Sequence, residues 1–152
     1  MLRALTGVVV LLLAGCGGGV APPKLVENRA AGFRLVLPHG WRVSIGAPLG
    51  PRSVMLSTYA LARRGDITEK PPDGATWIAL VDYGPLRTEP AESFPPIAAR
   101  LPPQAGIEGV GTGRNLSFRA VGHAFQAIIK GDPDPATTLG ILRSIRVTPV
   151  HH

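Results

Sequence analysis

The sequence predicts an α+β fold: an antiparallel β-sheet of about six to seven strands with one C-terminal helix packed on it. Three observations lead there. Apolar residues recur at every second position in the runs 33–37, 41–45, 116–120 and 125–129, the period of a half-buried strand. Proline, glycine and aspartate punctuate these runs, as in Pro38-His39-Gly40 and Gly131-Asp132-Pro133, and mark turns. Asp134-Pro135 then supplies a capping carboxylate followed by proline at the first helical position.

In the first strand Phe33, Leu35 and Leu37 share a face. In the second, Trp41, Val43 and Ile45 are expected to face the core while Arg42 and Ser44 face water. The intervening Pro-His-Gly predicts a hairpin joining the two. A third strand is expected over 53–61, after the Gly- and Pro-rich connection 46–52. The run 76–83, Thr-Trp-Ile-Ala-Leu-Val-Asp-Tyr, is apolar on both faces for most of its length, as a central strand should be.

Residues 84–106 carry Pro85, Pro90, Pro95, Pro96, Pro102 and Pro103. That density excludes a helix or an interior strand. An extended surface excursion is expected, pinned by Phe94, Ile97 and Leu101. A second hairpin follows around Val121-Gly122-His123. Leu116, Phe118 and Ala120 face the same way as Phe125, Ala127 and Ile129, with Arg119, Gln126 and Lys130 opposite. The helix is expected over about 135–144, with Ala136, Leu139, Ile141 and Leu142 on the sheet, and a short strand over 145–147 ends the pattern.

Ahead of the domain, Arg3 precedes an apolar segment from Ala4 to Ala14 that closes on Leu13-Ala14-Gly15-Cys16. The segment is far shorter than the roughly twenty apolar residues of a membrane span and has the layout of an export signal. Leu-Ala-Gly-Cys resembles the lipobox of bacterial lipoproteins. The resemblance implies cleavage between Gly15 and Cys16, and diacylglyceryl attachment to the Cys16 sulfur. Two or more acyl chains hold a protein stably where one does not. The implied organisation is a signal peptide over 1–15, a lipidated cysteine with a Gly- and Pro-rich flexible tether over 16–31, and a single small α+β domain over 32–150. The implied location is the extracytoplasmic face of the cell membrane.

Cys16 is the only cysteine, so no intrachain disulfide is available and the domain rests on its core. The formal charge is +6, with 13 Arg against 3 Lys. This modest excess suits anionic lipid headgroups or anionic envelope polymers. Scattered arginines without interleaved aromatics exclude a nucleic-acid platform.

Leu37-Pro38-His39-Gly40-Trp41-Arg42, Pro71-Pro72-Asp73-Gly74-Ala75-Thr76-Trp77 and the 125–131 strand leading to Ile141-Leu142-Arg143-Ser144-Ile145 occur in that order. Together they resemble small exported domains of high-GC Gram-positive bacteria, and more widely the PsbP-like architecture, across about residues 32–147. Many such domains carry a cysteine between the third and fourth strands, which this chain lacks. The resemblance implies no catalytic residues.

The sequence carries no recognisable catalytic constellation. None of Ser44, Ser53, Ser57, Ser93, Ser117 and Ser144 lies in a Gly-x-Ser-x-Gly elbow. His39 and His123 sit in separate expected turns and do not have metal-ligand spacing. Gly109-Val110-Gly111-Thr112-Gly113 lacks the helix and the Lys-Ser/Thr pair of a phosphate loop. Asp132 and Asp134 suit a helix start better than calcium. Asp66, Glu69 and Asp73 share one loop, and Trp41 and Trp77 at strand positions suit core packing. No cofactor and no metal is expected. The expectation is a non-enzymatic binding or adaptor module, held to membrane lipid through acylated Cys16 and contacting an envelope protein or anionic envelope polymer. Its candidate partner surface is Arg63, Arg64, Phe94 and Arg100 with the 85–103 segment. The alternatives are a carrier of a lipid-like or small apolar ligand held between sheet and helix, and, last, an envelope hydrolase.

Overall fold

Two antiparallel sheets and one short helix make up the computed structural model, which describes residues 22–46, 49–63, 65–87 and 91–148. Gly15, Cys16 and Arg64 lie outside the described residues. The strands are β1 (Lys24–Asn28), β2 (Phe33–Leu37), β3 (Arg42–Ile45), β4 (Ser53–Ser57), β5 (Thr76–Pro85), β6 (Ala105–Ile107), β7 (Gly111–Ala120), β8 (His123–Gly131) and β9 (Arg146–Val147), with helix α1 (Pro135–Arg143) before the last. The smaller sheet has the order β1-β2-β9 and the larger β3-β4-β5-β8-β7-β6. The expected α+β class and the single C-terminal helix are observed.

The main core lies on one face of the larger sheet. Val54 and Leu56 from β4, Ile78 and Leu80 from β5, Leu116 and Phe118 from β7, and Phe125, Ala127 and Ile129 from β8 meet Phe33, Leu35 and Leu37 of β2 and Ile141 and Leu142 of α1. The Phe125 ring stands edge-on to Phe33 and stacks on Phe118, each at 5.6 Å. Sheet against sheet and helix is the packing that buries both apolar faces. A second, smaller core on the opposite face gathers Met55, Trp77, Ala79, Val110 and Ile128 beneath Tyr59, Leu61 and Ile67 of the β4–β5 loop. Both faces of β5 are therefore buried, as its apolar run predicts.

The β7–β8 hairpin has the expected facing. Its two-residue turn places Val121 at φ 50° and Gly122 at φ 79°, the pair of positive values of a type I′ turn. The Asp134 carboxylate caps α1 by accepting from the Thr137 N–H at 2.8 Å. Phe94 is buried, and Ile97 and Leu101 pack against the main core, so the proline-rich segment is pinned where expected. It also contains a 3₁₀ turn at Ala91–Ser93 and the edge strand β6.

Several expectations require correction. Residues 24–28, assigned to the tether, form β1, and Val26 and Ala31 enter the core. Asn28 closes the β1–β2 turn by accepting from the Ala31 N–H at 3.1 Å, while its amide donates to the Pro51 and Ser53 carbonyls. β2 and β3 are not a hairpin. β2 pairs with β1 and β9, β3 pairs with β4, and Pro38-His39-Gly40 carries the chain from one sheet to the other. Consequently Ile45, at the end of an edge strand, is exposed while Trp41 and Val43 are half-buried. β4 stops at Ser57, whose hydroxyl turns back to the Tyr59 carbonyl. Ala136 is exposed, and Thr138 takes its place among the buried helix residues. Lys130 lies opposite the main core as expected, and that face is itself covered by the β4–β5 loop, so the lysine is buried.

Candidate binding sites

Three features of the larger sheet carry chemistry: a cleft at one end, an ionic cluster at the other, and exposed apolar residues on the segments around that cluster. The cleft has a volume of about 680 Å³, within the range of small-ligand sites. Its walls are the 68–74 loop, the β6–β7 turn and the end of β8. Gly131 allows the walls to meet there. It has φ 94°, and a Cβ on it would come within 2.0 Å of the Ala75 carbonyl oxygen.

Lys130 lines this cleft and is only 7% exposed. Its ammonium donates to the Val110 carbonyl at 2.8 Å and the Thr68 carbonyl at 3.2 Å, and lies 5.6 Å from the Trp77 ring centre. Trp77 is fixed in turn by its indole N–H, which donates to the Glu69 carbonyl at 3.0 Å. Among the described residues no carboxylate lies within ion-pair distance of Lys130. Burial pulls its pKa below the ordinary lysine value, partly offset by the negative field of Asp66. One of the three ammonium donors is left over by these two hydrogen bonds. Lys70, Asp73 and Asp132 stand around the opening, all exposed and none in an ion pair among the described residues.

At the opposite end Asp82 sits where the β5–β8 register shifts, between Asp82 and Gly84. Its side chain is wholly buried, yet it is surrounded by donors. Arg52 approaches at 2.6 Å, the Gly84 N–H at 2.7 Å, and His123 Nδ1 lies 3.1 Å from each oxygen. An ionised carboxylate only accepts, so the Nδ1 proton is directed at Asp82. Satisfying a buried carboxylate in this way is a structural requirement, and the cluster ties the β3–β4 connection, β5 and β8 together. Among the described residues, no serine, cysteine or second carboxylate is bonded to His123.

Around the same end stand Ile45 (51% exposed), Leu49, Tyr83 and Val121 (57% exposed). These come from the end of β3, the β3–β4 connection, the end of β5 and the β7–β8 turn. Tyr83 is oriented by its hydroxyl, which donates to Gln126 at 2.6 Å, and by Phe94 at 5.9 Å. The position of the N-terminal strand is informative here. β1 starts at Lys24, paired with Leu37, and ends at Asn28, which bonds Pro51 and Ser53 beside this apolar end. The chain therefore enters the domain from the other end.

The residues singled out in the sequence are distributed differently. Arg63 is exposed in the β4–β5 loop, which covers the second face, whereas Arg100 is exposed in the segment whose neighbour Leu101 packs on the first. Phe94 is 8% exposed and pins its segment instead of presenting itself. His39 is exposed in the β2–β3 connection, remote from His123 at the start of β8. Between sheet and helix, the space expected for an apolar ligand, the main core is packed, and a shallow groove of about 290 Å³ remains beside it between α1 and β2. Lys130 and Asp82 are not among the site residues that the sequence singles out. The one signal for the first was a lysine inside an otherwise apolar strand pattern, and for the second an aspartate ending an apolar run.

Among the described residues no helix is long and apolar enough to cross a membrane, and no group of three or more His, Cys, Asp or Glu is placed to hold a metal ion. No protein-family model and no curated protein sequence matches the chain.

Proposed function

We propose that the chain is a lipid-anchored cell-envelope protein whose domain serves as a non-enzymatic binding or adaptor module on the extracytoplasmic face of the membrane. Anchoring rests on the lipobox-like Leu13-Ala14-Gly15-Cys16 run behind a short apolar segment. The observation that carries the adaptor reading is that four exposed apolar residues, Ile45, Leu49, Tyr83 and Val121, belong to segments at the same end of the larger sheet. With the chain entering from the opposite end, an anchored N-terminus leaves this surface accessible to another envelope component. Val121 strengthens the reading. A β-branched residue at positive φ in an exposed turn is an outlier that folding alone does not favour.

The test uses the full chain as bait in detergent against a solubilised envelope, at low and raised salt. The expected result is a defined protein retained at high salt and lost from the double variant Ile45→Thr, Val121→Asn. Undiminished recovery with that variant contradicts the placement. Recovery that disappears as salt screens charge points to an anionic polymer instead.

A further inference from the structure

We infer that the Lys130 cleft is a small-ligand site of its own, for a dipolar molecule bearing one carboxylate and one ammonium group, such as an amino acid or short peptide. It is separate from the apolar end and does not depend on it.

A lysine held 7% exposed, without an acidic mate, is uncommon because burying an ammonium is costly. Two carbonyl oxygens and the face of Trp77 hold this one in place, which meets part of that cost. They do not neutralise it. One N–H donor remains, in a residue that lines an open cleft large enough for a small molecule. A carboxylate oxygen supplies both the missing acceptor and the missing charge.

The rim narrows the class. Lys70 and Lys130 are matched in number by Asp73 and Asp132, so the cleft lining carries no formal net charge, but its charges are separated. Two unpaired carboxylates at the mouth repel a dianion such as phosphate and attract a cation. A ligand with its carboxylate on Lys130 and its ammonium toward Asp73 and Asp132 meets both requirements. The volume of about 680 Å³ admits more than one residue of a peptide.

Trp77 provides the readout, since the ammonium stands over its ring. In a Trp41→Phe background it is the only tryptophan of the chain. The full-length protein in detergent is titrated with L-alanyl-L-alanine, acetate and inorganic phosphate while Trp77 emission is followed. The expected result is a saturable response to the dipeptide, with acetate weaker and phosphate weakest. Lys130→Met, which keeps the apolar stem, weakens the dipeptide by at least about tenfold, the loss of one charge-assisted hydrogen bond. The double variant Asp73→Asn, Asp132→Asn changes only exposed side chains, so it remains folded even if Lys130→Met does not. It weakens the dipeptide several-fold and leaves acetate unchanged or tighter. No saturable response to the dipeptide overturns the inference, as does phosphate binding more tightly than the dipeptide, or a dipeptide affinity that the aspartate double variant leaves intact.

Discussion

The Asp82 carboxylate receives His123 symmetrically, with Nδ1 3.1 Å from each oxygen, and Arg52 closes on the same group at 2.6 Å. The acid is fully buried while Arg52 reaches water. Removing the carboxylate therefore leaves one partner that can be re-solvated and one that cannot readily be. Asp82→Ala is expected to cost about 1–3 kcal/mol, below the loss for a fully enclosed pair because solvent screens Arg52. Urea denaturation of Asp82→Ala, His123→Ala and the double variant measures the coupling. Strict additivity would show that the two side chains do not support each other.

Gly131 and Gly140 make opposite predictions for the same substitution. At Gly131 an added Cβ meets the Ala75 carbonyl at 2.0 Å and φ is 94°, so Gly131→Ala must displace backbone at the cleft. At Gly140, inside α1, it meets nothing within 4 Å. Gly140→Ala is expected to stabilise by about 0.5–1 kcal/mol through helix propensity. Gly131→Ala is expected to lose at least the roughly 1–2 kcal/mol of a left-handed non-glycine residue. Denaturant midpoints check both.

Val121 stores a smaller strain of the same kind at φ 50°. Val121→Asn gives the hairpin the Asn-Gly pair its type I′ turn favours and should stabilise by about 1 kcal/mol. A gain in melting temperature accompanied by loss of partner recovery would separate a residue kept for binding from one kept for folding.

The pH response has a definite sign at each extreme. Hydrogen bonds from Thr137 hold Asp134 below its ordinary value of 3.8, and those from Thr68 do the same for Asp66. Their contribution is complete above the unfolded value and is lost as pH falls through the folded one. Asp134→Asn keeps an acceptor for the helix cap, so the acid-induced loss of helix seen by circular dichroism should be shallower in that variant. On the alkaline side, burial first, then Glu69, pushes Tyr59 upward from 10.0. Its contribution is complete below pH 10.0 and declines above it, a decline that Tyr59→Phe should remove. Lys130 acts in the other direction, its penalty easing as pH rises toward 10.5.

What the sequence made legible was local. Alternation in β7 and β8 fixed their facing, and Asp134-Pro135 fixed the helix start, because strand period and capping are written in neighbouring residues. β1 was hidden because Lys24-Leu25-Val26-Glu27-Asn28 lacks clear alternation and follows a Gly- and Pro-rich stretch that reads as tether. Pro38-His39-Gly40 reads as a hairpin turn, yet β3 finds β4 across the 46–52 connection, a choice made by sheet pairing and not by the turn. The cleft was invisible for a related reason. Period two correctly placed Lys130 opposite the main core, but only the distant Trp77, Thr68 and Val110 turn that face into an enclosed one.

Intact mass spectrometry of the protein extracted from its native membrane tests the lipid anchor directly. The expected species is a chain beginning at Cys16, heavier than its residues by a diacylglyceryl group, and absent from the membrane in Cys16→Ala. A chain beginning at Met1 with an unmodified thiol, or one cut elsewhere and recovered without lipid, would contradict it.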